Sequence, residues 1–131
     1  MVTIEEICTR WCGAVESKKL MALLPLLEHG YPAALEQSKD TPLEQVNFSA
    51  LIEYALGWPT GGGWSLRAVE WLECGFPMTP AISELLISNS RNSKKCSQNE
   101  RHRSQRLVSE FIKSRQRETS GITDGTIYQK D

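Results

Sequence analysis

Apolar residues fall on helical faces through most of this chain. Ile4, Ile7, Cys8, Trp11, Cys12 and Val15 recur at the i, i+3, i+4, i+7, i+8, i+11 spacing of one helix side. Leu20, Leu23, Leu24 and Leu27 repeat that pattern, with Pro25 placed to kink or shorten the helix. From Pro42 to Leu56 the apolar set (Leu43, Val46, Phe48, Leu51, Ile52, Tyr54, Leu56) covers more than one face, which predicts a central, enclosed helix. A helix from Leu66 to Cys74 and another from Pro80 to about Ile87, carrying Ile82, Leu85 and Leu86, come next. Residues 88–99 hold almost no apolar side chains and read as a polar linker. A last helix is expected from about Glu100 to Arg117, with Leu107, Val108, Phe111 and Ile112 as a narrow stripe, followed by a tail over residues 119–131 that is expected to be mobile or a short strand.

The ends of these helices are marked as clearly as their faces. Three times the chain writes glycine, an aromatic and proline: Gly30-Tyr31-Pro32, Gly57-Trp58-Pro59 and Gly75-Phe76-Pro77. Glycine can turn left-handed to close a helix, the aromatic can fold back on the last turn, and proline forbids continuation. Trp71 is three residues before Cys74, placed to meet Phe76 across such an exit. Thr3-Ile4-Glu5-Glu6 and Thr41-Pro42-Leu43-Glu44 fit the capping box, and Thr79-Pro80 repeats its first half. Ser65 can cap the helix that begins at Leu66.

The starts at Thr3, Thr41 and Thr79 are 38 residues apart, whereas Leu27–Pro32 matches Leu72–Pro77 at an offset of 45. Both values lie in the range of helical-pair arrays. The reading is an all-α protein of about six short helices in three hairpins, as an irregular bundle or a short α-solenoid-like stack. Residues 1–118 form one helical domain in this reading, as expected for a chain of 131 residues.

Composition adds little to this picture, but charge does. Hydrophobic content of 40% with 24% charged residues is ordinary for a soluble protein. The longest apolar run, Leu20–Leu27, is far too short to span a bilayer, and Glu5 and Glu6 stand where a secretory signal would be basic. A cytoplasmic location with four reduced cysteines is expected. The net charge of −1 divides unevenly. Residues 1–86 carry five Lys/Arg against eleven Asp/Glu, and residues 87–131 carry ten against five. Such halves attract one another, or present an acidic binding face beside a basic segment.

Chemistry-bearing patterns are few. Cys8 and Cys12 lie one turn apart on the same face, but zinc sites use close cysteine pairs in loops, and an apolar stripe makes cysteine a small hydrophobe. No metal ligand set is assigned. The loop Thr60-Gly61-Gly62-Gly63-Trp64-Ser65 precedes a helix but lacks the lysine of a phosphate-binding loop. His29 and His102 have no nucleophile in a recognisable elbow, and Glu70 and Glu73 sit on one helix, not on facing elements. No catalytic residue and no cofactor are assigned, and the chain is read as not an enzyme.

Two kinds of recognition residue stand out. Trp58 and Trp64 flank the glycine-rich loop, with Glu70 and Glu73 on the following helix; aromatic anchors beside acidic side chains suit a protein partner. Arg101, Arg103 and Arg106, within the basic stretch from Arg91 to Arg106, suit a phosphate backbone.

Leu66-Arg67-Ala68-Val69-Glu70-Trp71-Leu72-Glu73-Cys74-Gly75-Phe76-Pro77, followed after a polar stretch by Arg101-His102-Arg103-Ser104-Gln105-Arg106-Leu107, resembles small helical proteins of proteobacteria. Among these are immunity proteins of polymorphic toxin and contact-dependent growth inhibition systems. The resemblance covers about residues 66–112. It implies a non-catalytic inhibitor that binds the toxin domain of its own system. Immunity proteins against nuclease toxins are often strongly acidic and this chain is near neutral, so the resemblance leaves the class of toxin open. The alternatives are a nucleic-acid-binding or regulatory module using Arg101, Arg103 and Arg106, and a helical adaptor or scaffold.

Overall fold

The structure, a computed structural model, describes residues 2–59 and 63–124, with side chains as far as 115. Seven α-helices and three 3-10 segments make up its regular structure, and no strand occurs among the described residues. The order is α1 (Ile4–Gly13), a 3-10 turn (Glu16–Lys18), α2 (Lys19–Leu23), a 3-10 segment (Leu24–His29), α3 (Ala33–Ser38), a 3-10 turn (Pro42–Gln45), α4 (Phe48–Leu56), α5 (Trp64–Glu73), α6 (Pro80–Ser90) and α7 (Gln98–Asp124). The protein is all-α.

Two of the three expected helix starts have the expected chemistry. The Thr3 hydroxyl accepts from the Glu6 amide at 3.1 Å while the Glu6 carboxylate accepts from the Thr3 amide at 3.2 Å, which fixes the start of α1. That reciprocal bonding holds the Glu6 carboxyl below its ordinary range. Thr79 accepts from the Ile82 amide, and Pro80 takes the first position of α6, where a missing N–H costs no bond. Thr41 differs: its hydroxyl accepts from Leu43, two residues on, and the chain makes a 3-10 turn instead of a helix. Val46 and Asn47 are then extended, and the Asn47 side chain accepts from Ala50 to begin α4. The helix expected over Pro42–Leu56 is therefore two elements.

The exits follow the same logic with one exception. Gly30 and Gly75 are left-handed, at φ of 80° and 112°. After α5 the Phe76 amide donates to Trp71 O at 3.1 Å and the two rings lie 5.8 Å apart, as their spacing predicts. Gly57 has φ of −83° and is not left-handed. The carbonyl of Leu56 is instead taken by two distant donors, Asn89 Nδ2 at 3.0 Å and Lys95 Nζ at 2.8 Å.

Pro25 shortens α2 as expected: the α-helix stops at Leu23 and the chain continues as 3-10 to His29. The stretch 88–99 is less of a linker than its composition suggests. Helix α6 continues to Ser90 and α7 begins at Gln98, so a turn of seven residues joins them, with Cys96 buried beneath it. The backbone of α7 runs through Asp124, beyond the Arg117 limit that the apolar stripe suggests. The remainder of the expected tail, residues 125–131, lies outside the described residues.

Packing centres on α4 and α5. Leu51, Ile52, Ala55 and Leu56 of α4 are fully buried, as are Ala68 and Val69 of α5. Helix α4 packs on α2, α5 and α6, and α7 closes over α5 and α6. The Leu24–His29 segment, far earlier in the chain, also packs on α5. A stacked array would let each hairpin meet only its neighbours. These cross-contacts make the protein an irregular bundle.

Candidate partner-binding face

Helix α5 carries three of the four residues singled out for partner binding, and the structure separates them. Trp64 and Glu73 are nine residues apart, which puts them on opposite sides of the helix and about 13 Å apart along its axis. Trp64 is half-buried against the core. Trp58 is likewise half-buried and meets Tyr54 edge to face at 5.8 Å between ring centres. Both tryptophans cover the apolar interior.

Glu70 and Glu73 lie on the other side of α5, where the surface is hollow. An open pocket of about 340 Å³ is walled there by Glu28, Arg67, Glu70 and Glu73 and backed by Tyr31 and Trp71. The aromatic backing is rigid because each ring has several partners. Trp71 is 1% exposed, donates from Nε1 to Leu27 O at 3.0 Å, and lies within 6.2 Å of Tyr31, Phe48 and Phe76. Tyr31 meets Phe76 edge-on at 5.5 Å. The Gly30 exit turn thus swings an aromatic ring under the carboxylates of a helix more than thirty residues away. Glu28 and Tyr31 belong to this site and were not marked as recognition residues by the sequence; the signal available was the exit triplet at Gly30 and its match at Gly75.

Two internal arginines engage the carboxylates. Arg67 Nη1 is 3.0 Å from Glu70 Oε1, one turn away on the exposed face of α5. Arg103 of α7 forks onto Glu73, with Nε 2.9 Å from Oε2 and Nη2 against Oε1. That guanidinium lowers the Glu73 carboxyl below its ordinary range, against the opposing effect of burial. Of the basic residues suited to nucleic acid, Arg103 is therefore occupied. Arg101 also turns inward, donating from Nε to Cys96 O at 3.3 Å, while Arg106 stays exposed near Glu73. The acidic and basic halves of the sequence do attract one another, through α5 and α7.

A second polar cluster lies beneath this pair. Ser65, inside α5 and fully buried, donates to Glu100 Oε2 at 2.7 Å, and the Cys96 thiol reaches the same oxygen at 3.4 Å. Ser65 is therefore not the helix cap; α5 begins at Trp64 with Gly63 at its N-terminal boundary. Burial, then the adjacent Glu100 charge, push the Cys96 thiol up to about 11, which keeps it protonated and unreactive. This cluster fixes how α7 docks on α5 and is closed to ligands.

Among the described residues no group of three or more His, Cys, Asp or Glu side chains converges as a metal site, and no helix is long and apolar enough to cross a membrane. No family model, no curated protein and no solved structure matches this chain.

Proposed function

We propose that the protein is a non-catalytic inhibitor that captures a basic protein partner on the hollow between Glu28, Glu70 and Glu73, as an immunity protein captures its toxin domain in the cytoplasm. The observation that carries this reading is one open pocket in which Glu28, Glu70 and Glu73 meet over the half-buried Tyr31; Glu70 and Glu73 are shared with Arg67 and Arg103, and the exposed Glu28 supplies the open charge of the rim. A lysine or arginine side chain entering it gains charge on its rim and a ring face within. The acidic first 86 residues supply a field that speeds encounter with a basic surface, and the pocket supplies contacts that slow release. The anchor in this reading is Tyr31, whereas Trp58 and Trp64 serve the core.

Co-expression with a toxin domain, should one be encoded beside this gene, tests the reading. Growth is expected to be rescued by the wild type and lost with a Glu28→Lys, Glu70→Lys double variant, whose charges reverse the rim without touching the core. Failure of the wild type to protect, or equal protection by the variant, overturns it. Binding to unspecific RNA or DNA at low salt, steeply lost as salt rises, would instead favour the nucleic-acid reading through Arg106 and its basic neighbours.

A further inference from the structure

Cys8 packs against the core as its place in the apolar stripe suggests, whereas Cys12 does not. Cys12 is exposed, Cys8 half-buried, and both line an open groove of about 530 Å³ between α1 and the Asp40–Pro42 corner. Four residues apart on a helix, their side chains share one face. The groove is mainly apolar, with Ile4 and Pro42 on its sides and the carboxylates of Glu5 and Asp40 at its rim.

We propose that Cys8 and Cys12 form a two-thiolate site for a soft divalent cation of the Hg(II) class. Three features of the groove select that class. With two ligands on one helix turn and no third converging among the described residues, the ion must accept near-linear two-coordination, which zinc and calcium do not. Thiolates favour soft ions over hard ones. Binding releases two protons, and a divalent ion then leaves a neutral bis-thiolate, whereas a monovalent ion leaves a negative charge facing Glu5 and Asp40 in an apolar setting. The groove shares no lining residue with the acidic hollow.

The test is retention against competition. Reduced protein is loaded with one equivalent of Hg(II) and challenged with excess monothiol, and bound metal is read from thiolate-to-metal charge-transfer absorption after desalting. One equivalent per chain should remain on the wild type and on Cys74→Ser, which removes another exposed thiol. Cys12→Ser and Cys8→Ser should each weaken retention about 100-fold or more, since the second thiolate acts at high effective concentration. Circular dichroism checks that α1 persists; the exposed Cys12 makes its variant safe for folding. Loss of metal from the wild type to the monothiol, undiminished retention by Cys12→Ser, or loss in Cys74→Ser overturns the proposal.

Discussion

The two halves of this bundle are held by different means. Up to Gln45 the chain is made of short elements, none longer than ten residues, and several are 3-10. Isolated helices of that length are not stable in water, so packing must hold them. Leu23, Leu24, Leu26, Leu27 and Leu43 are all at most 2% exposed, and they attach these pieces to α4 and α5 mainly through burial, with the Trp71 Nε1 bond to Leu27 O as a polar link. From Phe48 onward the regular elements are all α-helices, and they are joined by specific polar bonds: Asn89 and Lys95 on Leu56 O, Ser65 on Glu100, Arg103 on Glu73. Burial is non-directional and tolerates irregular pieces, whereas a buried polar bond is satisfied in one register only. The first half is glued and the second half is indexed.

Trp71 joins the two, and removing it should break the distinction. Trp71→Ala is expected to cost about 3–5 kcal/mol and to loosen both halves together, read by chemical denaturation. Trp71→Phe retains most of the apolar contact, leaves Leu27 O without its donor, and should cost about 1–2 kcal/mol. If the two halves melt separately in either variant, the aromatic cluster is not their link.

Indexing by α7 is tested next. Glu100→Ala leaves the fully buried Ser65 hydroxyl without its acceptor and should cost about 2–3 kcal/mol. Hydrogen exchange should show the loss concentrated in α5 and α7, with α1 to α3 little changed. The shared carbonyl at the end of α4 sharpens the point. Asn89→Ala or Lys95→Met alone leaves Leu56 O one donor, although each also breaks the Lys95 Nζ bond to Asn89 Oδ1, so each should cost about 1 kcal/mol; stripping Leu56 O of both donors should make the double variant cost more than the sum. Strict additivity would mean that the two donors do not substitute for each other.

The smallest effect is expected at the rim of the acidic hollow. Glu73→Gln weakens a partly exposed, two-pronged ion pair and should cost about 1 kcal/mol or less near neutral pH. Because the folded carboxyl is held below its ordinary value of 4.5, this stability is fully present above that pH. It disappears as pH falls through the lowered folded value, so wild type and Glu73→Gln should converge in acid. A gap that persists there would assign the effect to packing and not to charge.

How legible each part was depended on whether its cause is local. Helix starts at Thr3 and Thr79, and exits at Gly30 and Gly75, use chemistry within four or five residues, and the sequence displays them in full. Thr41 carried the same letters, but the extended Val46 and the competing cap at Asn47 divided the segment. The candidate face was half visible. Glu70 and Glu73 stand out on α5, yet Glu28 and Tyr31 reach them only through the fold, and Trp58 and Trp64 turn to the core.

What the amino-acid order fixed by itself is the all-α class, most of the helix faces and the punctuation between them, because backbone sterics, capping and 3.6-residue periodicity act over one or two turns. Tertiary structure alone decided which polar residues meet: Glu73 with Arg103, Glu100 with Ser65, Lys95 with the end of α4. Those pairs are 30 to 39 residues apart in the chain, and a lone charge or hydroxyl carries no mark of its partner. Their meeting follows from how the apolar faces pack, and that depends on every helix at once.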